Sequence, residues 1–157
     1  MASEHRSAWD SPGFLLWHAT LRWQRAMRAA LAPHGLTHVQ FVLLASTWWL
    51  CEHGDPPTQR RLADHAGTDP MMTSQVVRAL AKQGLVEREP APDDARAVRV
   101  RITTAGRELA IAAVRDVEAA DRGFFAAVHD DRLVPRLRTL AGRTADGAPA
   151  ATSDRER

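Results

Sequence analysis

The chain has 157 residues, which suits one domain and leaves little room for two independent cores. Hydrophobic residues make up 45% and charged residues 25%, ordinary proportions that exclude a disordered or fibrous chain. Lys82 is the only lysine among 21 basic residues, yet 19 acids bring the formal net charge to +2, so bulk charge neither announces a nucleic-acid partner nor excludes one. The arginine excess is equally explained by the codon bias of a high-GC genome.

The single cysteine, Cys51, cannot form an intramolecular disulfide, and the opening MASEHRSAWDSPG lacks the basic-then-apolar order of a signal peptide. No apolar run reaches the roughly 18 residues of a membrane helix, so a cytoplasmic protein without a membrane role is expected.

Ser11-Pro12 sets a capping residue before a proline at the first helical position, where its missing N–H costs nothing, and predicts a helix to about Ala32. Pro33, His34 and Gly35 end it. Thr37-His38-Val39-Gln40 has the form of a capping box and opens a second helix in which Phe41, Leu44, Ala45 and Trp48 recur at helical spacing. After Gly54-Asp55-Pro56-Pro57, a brief helix is predicted from Thr58 to Ala66, with Leu62 and Ala66 inward. Gly67 permits a sharp turn, and Asp69-Pro70 starts a further helix to about Gln83, with Thr73, Val76, Val77 and Leu80 inward. Two such helices across a glycine-containing turn match a helix-turn-helix unit.

Beyond Gly84 the period changes to two. Leu85 to Glu89 reads as one strand; Val98, Val100 and Ile102 alternating with Arg99 and Arg101 read as another, and Pro90 to Arg96 as the projecting loop between them. A long helix is predicted from about Ala105 to Val128, and a last one over about Asp131 to Ala141. Residues 143–157 are small, polar and aperiodic, which predicts a disordered tail.

On the fourth helix the outward positions are Pro70, Met71, Ser74, Gln75 and Arg78. Gln75 suits a bidentate contact to adenine and Arg78 one to guanine or a phosphate. Ser74 serves base or backbone, and Met71 and Pro70 suit a thymine methyl. Thr58, Gln59, Arg60 and Arg61, at the start of the preceding helix, combine side-chain donors with free backbone N–H groups, as phosphate contacts require. Met72 is ambiguous between surface and core.

LTHVQFVLL, QRRLADHAGTDPMMTSQVVRALAKQGLVERE and DDARAVRVRITTAGREL together resemble the MarR family of bacterial winged helix-turn-helix transcriptional regulators, and with the flanking helices the resemblance covers about residues 11–142. It implies a mainly α fold with a small β wing, in one domain over 1–142. The winged helix-turn-helix would span about 37–103, flanked by N- and C-terminal dimerisation helices at about 11–32 and 105–142. It further implies a homodimer acting on double-stranded DNA at a pseudo-palindromic operator, as a repressor or, less often, an activator. Trp9, Phe14, Leu15 and Trp17 near one end, and Phe124, Phe125, Val128, Leu133, Val134 and Leu137 near the other, supply the apolar surface a dimer base needs. In the family pattern the wing arginine enters the minor groove and the acid two residues earlier orients it. Arg96 and Asp94 occupy those places, with Arg99 and Asp93 as substitutes. The resemblance also implies a small anionic, commonly aromatic ligand between dimer base and winged domain, for which Trp17, His18, Leu21, Arg22, Trp48 and Trp49 are the candidate lining.

Other chemistries lack support in the sequence. Peroxide-sensing relatives use a cysteine near the first helix supported by tyrosines; here Cys51 lies late in the second helix, there is no tyrosine, and a buried hydrophobic role is expected. The histidines are scattered: His34 and His38 straddle Gly35 and share no helical face, so no metal or cofactor is expected. No phosphate loop, nucleophile elbow or zinc-protease motif points to an enzyme. The alternative to a DNA-binding regulator is a winged-helix module used only for protein association.

Overall fold

A computed structural model describes residues 7–150. Its elements run α1 (Pro12–Leu31), α2 (His38–Glu52), α3 (Gln59–Ala66), α4 (Pro70–Lys82), β1 (Val86–Ala91), β2 (Asp94–Ile102), α5 (Thr104–Phe125) and α6 (Leu133–Leu140), with 3-10 turns at Ala8–Asp10 and Ala32–His34. The two strands form an antiparallel hairpin, and everything else regular is helical. Contacts divide the chain into a unit up to Phe124 and a smaller one from Phe125 onward.

The first unit forms around α2, an apolar helix of 15 residues whose Phe41, Leu43, Leu44, Thr47 and Leu50 are buried. Around it pack Met27 and Leu31 of α1, Leu62 of α3, Val77 and Leu80 of α4, Val86 and Val100 of the hairpin, and Ala110, Ala113 and Val117 of α5. Cutting one of the fully buried leucines to alanine in such a core costs about 2–5 kcal/mol. Thr47 is tolerated there because its hydroxyl donates to the Leu43 carbonyl at 2.7 Å.

Both N-terminal caps occur as the sequence predicts. Ser11 caps α1, and Thr37 and Gln40 form the full capping box of α2, with Thr37 N–H donating to Gln40 Oε1 at 2.9 Å. The elbow between α1 and α2 is fastened to α5. His34 Nε2 lies 2.7 Å from Asp116 Oδ2, and Trp23 Nε1 donates to Asp121 Oδ1 at 2.6 Å. The His38 ring packs edge-on against Trp23 at 5.0 Å. Burial holds the His38 imidazole below its ordinary pKa; Asp121 works against that shift and Arg28 adds to it.

The unfolded chain therefore takes up a proton at His38 at a higher pH than the folded chain does. The stability linked to this group is complete above its ordinary value of 6.5 and is lost as pH falls through the lower folded value. Between about pH 7.5 and about pH 5.5 the melting temperature should fall, and His38→Asn should flatten part of that slope. Identical slopes in both proteins would remove His38 from the account.

The hairpin departs most from the sequence reading. Pro90 to Arg96, expected as a loop, is largely strand: β1 continues to Ala91, β2 begins at Asp94, and Pro92-Asp93 alone makes the turn. In a two-stranded ribbon each strand keeps one free edge, so Pro90, opposite Val98, is accommodated. Between the pairs Pro90–Val98 and Ala91–Asp94 the register shifts, leaving Ala95, Arg96 and Ala97 as a bulge on β2. The long helix ends at Phe125 rather than near Val128, and α6 is shorter at both ends than expected. Val76, expected inward, is only half-buried, and Met72 is exposed.

In the second unit α6 has no buried residue. Of the stretch predicted to lack structure, residues 143–150 form a local turn in which Thr144 N–H donates to the Ala148 carbonyl and Ala150 N–H to that of Gly142, both at 2.8 Å. Residues 151–157 of that prediction, and the first six residues of the chain, lie outside the described part. Among the described residues no helix is long and apolar enough to cross a membrane.

Candidate nucleic-acid interface

The helix-turn-helix is built from local signals. Thr58 caps α3, its hydroxyl oxygen accepting the Arg61 N–H at 3.2 Å. Gly67 ends the helix with φ 67°, a left-handed conformation that glycine adopts without cost, and Thr68 N–H returns to the Ala63 carbonyl at 3.0 Å. Asp69 then caps α4, one carboxylate oxygen accepting from Met71 N–H and Met72 N–H at 2.8 and 2.9 Å. Thr73 locks the turn from inside: its hydroxyl pairs with that of Thr68 at 2.8 Å and lies 2.8 Å from the Asp69 carbonyl.

This leaves one side of α4 free. Pro70, Met71, Gln75 and Arg78 are exposed and Ser74 is half-buried, with Arg78 donating to Ser74 Oγ at 2.8 Å across one helical turn. Met71 is 73% exposed, far more than a core methionine would be.

The wing is stitched to the start of α3. Val100 N–H donates to the Pro57 carbonyl at 2.8 Å, and Thr58 bridges Arg99 as a one-residue extension of the sheet. A cleft of about 530 Å³ results, lined by Thr58, Gln59, Arg60, Asp64, Pro70, Arg96, Ala97 and Val98. Residues from the start of α3, the start of α4 and the wing thus meet in one place. Arg61 is exposed outside that lining, as are Met71, Gln75 and Arg78.

Three details refine the sequence reading. Asp94 Oδ1 accepts the backbone N–H of Arg96 at 2.9 Å, so the acid fixes the bulge's backbone and does not pair with the guanidinium. The substitute Arg99 is engaged elsewhere, its guanidinium 3.8 Å from Asp55, while Arg101 is paired with Glu89 at 2.9 Å. Arg96 has no acidic partner among the described residues. Gln59 turns Oε1 into the protein without a partner, so a phosphate, which only accepts, can be met by its Nε2 or its backbone amide alone. The sequence reading missed Asp64, which brings a negative charge into the cleft; its spacing of four from Arg60 was the available signal.

Within one chain the cavity lined by Trp48 and Trp49 does not include the candidate ligand residues of α1. Trp17 is 61% exposed, and His18 packs against Trp9 and Phe14 with centroids 5.0 and 4.5 Å away. Trp48 and Trp49 line a cavity of about 390 Å³ with Ala45, Ser46, His65, Val114 and Glu118, which none of Trp17, His18, Leu21 and Arg22 reaches. Trp49 stacks with both His53 and His65, and the buried Trp48 Nε1 has no hydrogen-bond partner among the described residues.

Comparison with known proteins identifies the architecture. The MarR family pattern matches residues 36–98. The Bacillus subtilis HTH-type transcriptional regulator YdcH is 50% identical over 117 residues, 74% of this chain and 80% of that protein. The chain belongs to the MarR family. It is a MarR-family transcriptional regulator with a winged helix-turn-helix. The Mycobacterium tuberculosis HTH-type transcriptional repressor Rv2887 is 33% identical over 113 residues, covering 71% of this chain and 78% of that protein. The crystal structure of Rv2887 in complex with DNA superposes with a TM-score of 0.61 at 30% identity, over 83% of this chain and 95% of that one. CouR from Rhodococcus jostii, bound to p-coumaroyl-CoA, superposes with a TM-score of 0.74 at 28% identity, over 88% of this chain and 94% of that one.

Proposed function

We propose that this MarR-family chain is a ligand-responsive repressor that binds a pseudo-palindromic operator as a homodimer. In this reading α4 lies in the major groove, presenting Pro70, Met71, Ser74, Gln75 and Arg78 to bases; Thr58, Gln59, Arg60 and Arg61 hold phosphates; and Arg96 enters the minor groove on a wing backbone set by Asp94. The observation that carries it is the cleft that joins the start of α3, the start of α4 and the Arg96 bulge, since a duplex laid there meets all three at once. The repressor Rv2887, with its DNA complex, supports the mode of action.

A second copy of the chain is the natural cover for apolar side chains left in the open. The first unit exposes Trp9, Leu15, Leu16 and Trp17, and the second exposes Val128, Val134, Leu137 and Leu140. Two recognition helices must then reach successive major grooves about 34 Å apart. CouR's p-coumaroyl-CoA complex supports an anionic effector with an aromatic part.

Mobility-shift titration of DNA fragments flanking the protein's own gene, repeated over a salt series, tests this reading. A saturable complex should form on one fragment, weaken with salt, and contain two chains by sedimentation. A monomer at micromolar concentration would remove the dimer. Shifts that ignore changes at both Gln75 and Arg96 would favour a protein-association module.

A further inference from the structure

Arg78 and Ser74 are joined on the open side of α4: Arg78 Nη2 donates to Ser74 Oγ at 2.8 Å, from one helical turn to the turn before it. Arginines on and beside the wing end on acids, Arg99 near Asp55, Arg101 on Glu89 and Arg107 on Glu52. Arg78 ends on a neutral hydroxyl and has no carboxylate partner among the described residues, so its direction is set while its charge stays unmatched. Nη2 spends one N–H on Ser74, which leaves one two-donor edge of the guanidinium whole, and a bidentate contact to guanine O6 and N7 needs such an edge. Ser74 is short and half-buried, whereas Arg78 is exposed. By propensity alone alanine would serve α4 better at position 74, so helix formation gives no reason for the serine.

We propose that Ser74 is a positioning residue, holding Arg78 in the rotamer whose free edge meets a guanine, so that α4 reads that base through the pair. The proposal rests on the reading of α4 as the helix in the major groove, and it adds which of its side chains is set before DNA arrives. An arginine on a helix surface samples many rotamers, and a bond made in the free protein removes part of that freedom in advance of binding. Guanine is favoured over adenine because its major-groove edge offers acceptors alone, and a guanidinium only donates. Arg96 differs: Asp94 holds its backbone, and no hydrogen bond holds its side chain among the described residues. An untethered arginine suits phosphates and groove walls of varied geometry, whereas the directed Arg78 suits one base.

Fluorescence anisotropy of wild type, Ser74→Ala, Ser74→Thr, Arg78→Ala and the double variant tests the pair. The probes are the operator fragment and copies of it in which single guanines are replaced by 7-deazaguanine, which lacks the N7 acceptor. Ser74→Ala should weaken operator binding about three- to tenfold and keep the salt slope, since no charge is lost. Arg78→Ala should weaken it further, and adding Ser74→Ala to that variant should change nothing more. One 7-deazaguanine should cost wild type affinity and cost Arg78→Ala none. Ser74→Thr keeps the hydroxyl and should restore most of the binding, and a melting temperature of Ser74→Ala at or above wild type excludes a folding effect. Equal losses from Ser74→Ala with and without Arg78, or wild-type binding by Ser74→Ala, overturn the proposal and leave the major-groove reading standing. A wild-type chain that forms no saturable complex on any fragment overturns both.

Discussion

Gly106→Ala should destabilise the protein by about 2–3 kcal/mol, although the same exchange in an open helix is worth about 1 kcal/mol in favour of alanine. A Cβ at position 106 would stand 1.9 Å from the Leu85 carbonyl oxygen, 2.8 Å from its carbon and 3.0 Å from Ile102 Cδ1. The oxygen cannot simply move aside. It accepts from Thr103 N–H at 3.2 Å and from the Thr103 hydroxyl at 3.0 Å, while the same hydroxyl lies 2.8 Å from the Gly84 carbonyl and caps Gly106 N–H at 3.0 Å. A methyl group must therefore separate the start of α5 from the entry to β1 and break several of these bonds. Urea unfolding should show a lower midpoint with an unchanged slope. A midpoint equal to or above wild type would mean that the two segments part at little cost.

That close approach also shows which parts of the molecule were legible in the sequence. Caps, turns and inward faces set by neighbouring residues were readable: Thr37 with Gln40, Gly67, Asp69 before Pro70, and Leu62, Thr73, Val77 and Leu80 on the inner sides of α3 and α4. Each depends on chemistry within one or two helical turns. Gly106 gave no such signal, since in sequence it is one glycine inside a helical pattern and its reason lies 21 residues away. The wing misled for a related cause. Pro90 and Pro92 carry a local preference for loop, but pairing with β2 and the bulge at Ala95–Ala97 decide where the strands end. Among the candidate DNA-facing residues, those sharing a helix face or a cap were legible as neighbours, whereas the meeting of Arg96 with Thr58 and Pro70 depends on the Pro57–Val100 bond. The same limit applies to the candidate ligand residues: the resemblance groups Trp17, His18, Leu21 and Arg22 with Trp48 and Trp49, and the cavity lined by Trp48 and Trp49 includes none of the first four.

Arg96→Ala should weaken operator binding by about 1–3 kcal/mol, roughly five- to 150-fold, and reduce the salt slope by about one. Arg96 is exposed on the wing and has no acidic partner among the described residues. It sits in the bulge, its backbone is pinned by Asp94 Oδ1, and it lines the cleft with Thr58, Gln59 and Arg60, whereas Arg99 and Arg101 are paired with Asp55 and Glu89. A side chain already held by an acid would have to break that pair to reach DNA, and Arg96 has none to break. Asp94→Ala leaves the guanidinium in place but releases the bulge, so it should cost less than Arg96→Ala and leave the salt slope nearly intact. Arg96→Lys keeps the charge and loses the planar fork, so it should restore the slope while recovering only part of the affinity. Fluorescence anisotropy with a labelled operator over several salt concentrations separates these cases. Wild-type affinity for Arg96→Ala at physiological salt would take the wing out of the interface and leave recognition to α4 and the start of α3.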